Sequence, residues 1–167
     1  MRFAPASLAL SLVFAMTASV GYGQQRDPAP RAGVLIAQGE AALDAGDTQS
    51  AIDAFEAALA VDPGYTPTYV HLAKAARADN LQGKAIVYYR QALERDPSYI
   101  AAIAGEGAAL AEKGAIEKAR LNLAKVQSMC GETCVETQEL AAAITAGPRE
   151  PVLTAEASLE PDQPQSN

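Results

Sequence analysis

Residues 32–65 read AGVLIAQGEAALDAGDTQSAIDAFEAALAVDPGY, and residues 66–99 read TPTYVHLAKAARADNLQGKAIVYYRQALERDPSY; the two align without a gap at a spacing of 34. Residues 100–133, IAAIAGEGAALAEKGAIEKARLNLAKVQSMCGET, hold the same register. Pro63 recurs as Pro97, Tyr65 as Tyr99, Ala51 as Ala85 and Ala119, and Gly39 as Ala73 and Gly107. A period of this length with small residues at fixed points predicts a helix–turn–helix unit. Such a unit cannot bury its apolar face alone and has to stack on its neighbours.

Within the units the apolar spacing is helical. Leu35, Ile36, Gly39, Ala42 and Leu43 share one face, and Ala51, Ile52, Phe55, Ala58 and Leu59 share another. Gly46, Asn80 and Gly114 occupy one register position, where a left-handed turn is required and only glycine or asparagine enters cheaply. Asp47 is placed to cap the second helix of the first unit. After the third unit, Thr133 and Glu136 form an expected capping box. Val135, Leu140 and Ile144 then give one more apolar face before Gly147-Pro148 stops it. This single helix, expected over 134–146, would cover the open end of the stack.

The flanks differ in composition. Residues 1–23 read as an export signal: Arg2, an apolar stretch from Ala6 to Val20, then small residues ending at Gly23. That stretch is short for a membrane span, so a retained inner-membrane anchor is the alternative. No cysteine near the cleavage point could carry a lipid anchor. Residues 24–31 read as a proline-bearing linker, and 147–167 as a disordered acidic tail. The chain of 167 residues has a net charge of −7, which argues against nucleic acid as a partner. The expected compartment is therefore periplasmic or extracellular.

The three units resemble tetratricopeptide repeats. The residues that carry the resemblance are Gly39 and Gly107, Ala51, Ala85 and Ala119, the aromatics Phe55 and Tyr89, and the closing Pro63 and Pro97. It covers residues 32–133, with units 32–65, 66–99 and 100–133. The third unit departs from it, having Leu123 for the aromatic and Gly131 for the proline. The resemblance implies an all-α, right-handed α-solenoid of three helix pairs plus a capping helix, together a domain over 32–146. It also implies a concave groove lined by the first helix of each unit. That groove would present Ile36, Glu40 and Leu43, then Val70, Lys74 and Arg77, then Ala104, Ala108 and Glu112. Such a surface suits an extended or helical segment with one acidic group. One branch of the family clamps a terminal carboxylate with asparagines and lysines on the first helices. Here Asn80 falls in a turn and Asn122 on a second helix, so that mode is not expected.

Cys130 and Cys134 flank the corner between the last unit and the capping helix. In register Cys130 replaces Asp62 and Asp96, and Gly131 replaces the prolines. An oxidising compartment and a tight corner favour a structural disulfide. A redox-active pair would want a two-residue spacing beside a sheet, and a metal site would want about four ligands. The single histidine, His71, lies on another helix.

No nucleophile–base pair, phosphate loop or metal set stands out, so neither catalysis nor a cofactor is expected. Gly105 and Gly107 lie inside a helical pattern rather than after a strand. The expected function is a protein-interaction adaptor that binds another protein or peptide of the cell envelope, similar to small repeat proteins exported by Gram-negative bacteria. A thiol–disulfide redox factor using Cys130 and Cys134, and a structural subunit of a larger envelope assembly, are the rival readings.

Overall fold

A computed structural model describes residues 26–149. The export signal expected over 1–23 and the tail from residue 150 onward lie outside the described residues. Seven helices follow one another: α1 Pro30–Asp44, α2 Thr48–Val61, α3 Pro67–Ala78, α4 Gln82–Arg95, α5 Ile100–Glu112, α6 Ile116–Cys130 and α7 Val135–Ala146. There is no strand among the described residues. No described helix is long and apolar enough to cross a membrane.

The pairs α1/α2, α3/α4 and α5/α6 pack as hairpins, and each hairpin then packs on the next. The turns recur in detail. Asp47 N–H bonds the Ala42 carbonyl at 2.9 Å, Leu81 N–H bonds Ala76 at 2.8 Å, and Ala115 N–H bonds Leu110 at 2.8 Å. In each case the residue before, Gly46, Asn80 or Gly114, has a positive φ. These are the six-to-one bonds that close a helix C-terminus in a Schellman turn. Asp47 caps α2 as expected, accepting from Ser50 N–H at 3.0 Å.

Small residues set the helix separation. Ala51, Ala85 and Ala119 are all fully buried, and Phe55 and Tyr89 fill the space beside them. A Cβ on Gly39 would meet the Phe55 ring. In the second unit the same position is Ala73, and Tyr89 leans the other way, over the bare backbone of Gly105 in the next unit. That aromatic therefore knits two units together, and Gly105 is needed for closeness, not for conformational freedom.

Both ends are strapped down, and both depart from expectation. The last two residues of the expected linker belong to α1, because Pro30 sits at the helix start, where its missing N–H is not needed. Arg26 forms a forked ion pair with Asp62, at 2.5 and 2.9 Å, and Ala29 N–H adds a bond to the same carboxylate at 3.0 Å. These hold the Asp62 carboxyl down at a pKa of about 2, the Arg26 hydrogen bond contributing most. At the other end, α7 packs on both helices of the last unit, more closely on α5 than on α6, so it leans further onto the first-helix layer than α3 and α5 do. The expected capping box is not formed. Cys134 is the residue flanking α7, and the Thr137 hydroxyl bonds back to the Gly131 carbonyl at 2.8 Å. The first residues of the expected disordered tail are ordered: Arg149 N–H bonds the Glu112 carbonyl at 2.9 Å.

Candidate functional site

Curvature follows from which helices touch. The first helices meet in succession, α1 with α3, α3 with α5, and α5 with α7. Among the described residues the backbones of α2 and α4, and of α4 and α6, do not approach closely, although the Tyr88 hydroxyl on α4 reaches Glu56 on α2 at 3.3 Å. The layer of first helices is thus the inner, concave one.

On that layer a cavity of about 560 Å³ opens between α3, α5 and α7. Its α3 wall carries Lys74 and Arg77, and its floor is Ala101, Ala104, Gly105 and Ala108 with Tyr89 beneath. Its far wall is α7, with Val135, Glu136, Glu139, Leu140 and Ala142. Alanine spacing on α5 makes the floor shallow and apolar. The two walls carry opposite charge, cationic on α3 and acidic on α7.

The structure brings together Lys74, Arg77, Ala104 and Ala108 of the residues expected on the groove. Ile36 and Val70 are buried instead in the cores of the first two units, and Leu43 packs half-buried beside Phe55 and its neighbours. Glu40 is exposed and lies 3.5 Å from His71 Nδ1. Glu112 is the clearest correction. It is 6% exposed and held by a forked pair with Arg77 at 2.6 and 3.1 Å, so it is not free to meet a ligand. Arg149 adds a third contact at 3.0 Å. Lys74, which is exposed, makes no ion pair among the described residues, so the basic step of the groove reduces to that one side chain. The acidic wall from α7 was missed because the helix was read only as a cover.

Arg77 and Tyr89 are coupled at the cavity floor. Burial pushes the Tyr89 phenol up, and the adjacent Arg77 guanidinium opposes that. His71 stacks on Phe55 with ring centroids 5.2 Å apart. Burial there lowers its pKa, the nearby Glu40 acting against the shift and Lys74 with it. It is a packing histidine, neutral near pH 7.

Cys130 and Cys134 are bonded, with their α-carbons 5.9 Å apart, and join the end of α6 to the start of α7. Glu136 brings a carboxylate oxygen within 4.8 Å of both sulfurs. With the sulfurs joined neither is a thiolate ligand, and three donors fall short of a closed tetrahedral set.

A family profile described as "Tetratricopeptide repeat" matches residues 32–65 and 66–99. No curated protein sequence matches the chain significantly. Among solved structures, the chain is similar to the first TPR of Spaghetti (RPAP3) bound to the HSP90 peptide SRMEEVD. That likeness has 24% identity and a TM-score of 0.63, covering 74% of this chain and 98% of that one. The Sgt2 TPR domain from Aspergillus fumigatus has 22% identity and a TM-score of 0.64, covering 79% and 94%. The TPR2B domain of yeast Sti1, in a pHsp70 complex, has 18% identity and a TM-score of 0.64, covering 70% and 95%. Identities this low establish the fold alone.

Proposed function

Because this chain is a tetratricopeptide-repeat protein, we propose that it is a non-catalytic adaptor that holds a segment of another protein on its concave face. The observation that carries the reading is the alanine-floored cavity between a cationic α3 wall and an acidic α7 wall. A shallow apolar floor accepts side chains of an extended or helical segment, and opposite charges on the walls fix its direction. The peptide complexes of the RPAP3 and Sti1 domains support a polypeptide as the ligand. The residues of this groove do not favour the terminal-carboxylate mode. Ala104 and Ala108 line it without charge, Asn80 lies in a turn, and Asn122 donates to the Ile103 carbonyl from α6.

We place the partner in the cell envelope, in the periplasm or outside the cell, on the strength of the N-terminal export pattern and the disulfide. Affinity capture from an envelope extract of the producing cell tests the proposal. Lys74→Glu combined with Glu139→Lys reverses both walls at exposed positions and leaves the core untouched. The proposal expects a protein retained by the native chain to be lost with the variant. Equal retention by both contradicts it.

A further inference from the structure

The unpaired charges of the concave face are unequal in number. The repeat register sets Glu40, Lys74, Ala108 and Ala142 in one row along that face, and Ala37, His71, Gly105 and Glu139 in the row beside it. Lys74 is the cation of these rows that stays exposed and enters no ion pair among the described residues. Arg77 is bound to Glu112. Arg149 shares that carboxylate and also donates to the Arg77 carbonyl near the C-terminus of α3, where the helix itself carries partial negative charge.

On the acidic side Glu40 and Glu139 are exposed and Glu136 is half-buried. Among the described residues Glu136 and Glu139 make no ion pair, and Glu40 meets only His71, whose lowered pKa leaves it neutral near pH 7. Three carboxylates thus stand against one ammonium. Glu136 and Glu139 both line the cavity, one turn apart on α7, at a spacing where side chains are neighbours about 5–6 Å apart at Cβ. Like charges so placed repel, and a cation between them relieves both. Val135, 63% exposed, lies beside them on the same wall.

We propose that the segment held in this groove is basic: a lysine or arginine side chain sits between Glu136 and Glu139, and apolar side chains next to it rest on Val135 and on Ala101, Ala104 and Ala108. This rests on the concave face being the polypeptide surface proposed above, and it names the chemistry of the segment. The stem of a lysine or arginine is itself apolar, so it can cross Val135 while its head stays at the wet rim with the carboxylates. An acidic segment meets two like charges on α7 for one opposite charge on α3, so it is disfavoured by the same wall. Lys74 repels the basic side chain from α3 and thereby fixes which wall it takes. The net charge of −7 draws such a segment in at long range.

The test titrates the chain with two short capped peptides, followed by amide NMR. One is built of leucine, alanine and lysine; its twin has glutamate at every lysine position. The lysine peptide should move the amides of Ala104, Ala108 and Glu139, and the glutamate twin should bind at least about fivefold more weakly. Glu136→Gln combined with Glu139→Gln should weaken the lysine peptide by a similar factor. Asp53→Asn combined with Glu94→Gln removes as much charge from exposed sites on the outer helices and should leave its binding unchanged. The proposal is overturned if the glutamate twin binds the groove as well as the lysine peptide, if neither moves a groove amide, or if the two double variants weaken binding equally. A glutamate twin that binds the groove overturns only the basic character of the segment. Lysine-peptide shifts confined to α2, α4 and α6 overturn the concave polypeptide surface as well.

Discussion

Replacing Gly105 with alanine sets packing against helix propensity in one substitution. In an ordinary helix interior the change stabilises by about 0.8–1.0 kcal/mol. Here the added methyl would lie 2.6 Å from the Tyr89 hydroxyl oxygen and would also meet two ring carbons. Tyr89 is 1% exposed, so its ring has little room to withdraw. Overpacking costs about 1–3 kcal/mol, and with three atoms met at once the upper end applies, leaving a net loss of about 2 kcal/mol. At roughly 2.1 cal/mol/K per residue over the roughly 120 residues of the helical stack, the melting temperature should fall by about 8 °C. Thermal melts followed by circular dichroism measure this. In a Tyr89→Leu background the clash is gone, and the same substitution should become neutral or stabilising. A native-background Gly105→Ala variant that melts higher than the parent would refute the packing of Tyr89 across the unit boundary.

Other outcomes follow from the charged clusters and the disulfide. Arg77→Ala should cost about 3 kcal/mol, the low end for breaking a buried pair because Arg149 still reaches Glu112, whereas Arg149→Ala at a more exposed site should cost about 1 kcal/mol or less; urea melts of the two variants read the difference. Reducing Cys130–Cys134 opens a five-residue loop and should remove about 2 kcal/mol in the loop-entropy model, with amide exchange rising first in α7. The lowered pKa of His71 means that the unfolded chain binds its proton more readily. Stability from this group is therefore full above the unfolded value of about 6.5 and declines as pH falls toward the folded value, and His71→Gln should flatten that decline in melts between pH 7 and pH 5.

The helices, their turns and the unit boundaries were legible because each rests on local chemistry repeated in register. Gly46, Asn80 and Gly114 announce one turn three times, and Asp47 caps where a cap belongs. What sequence reading missed lies between units. Arg77 and Glu112 both fall on the groove face that the repeat register implies, yet they bind each other at a separation of 35 residues. The signal was available. Arg26–Asp62 are 36 apart, Thr48–Asp79 are 31 apart and Tyr88–Glu56 are 32 apart, all near one repeat length. Complementary polar residues one period apart are neighbours across stacked helices, just as residues four apart are neighbours within one. Gly105 escaped notice for a similar reason, since its partner Tyr89 belongs to the unit before. The acidic wall of the cavity depended on where α7 docks, and that pose comes from packing on α5 and the Cys130–Cys134 corner, which no local pattern fixes.

The central claim is that the face made by α1, α3, α5 and α7 is where another polypeptide is held. Photo-cross-linking residues placed one at a time at Lys74 and Glu139 on the concave side, and at Val87 and Leu121 on the exposed outer helices, test it in the producing cell. The account predicts a discrete cross-linked partner from the first two positions and none from the last two. Partner adducts that form from Val87 or Leu121 and not from Lys74 or Glu139 would contradict it.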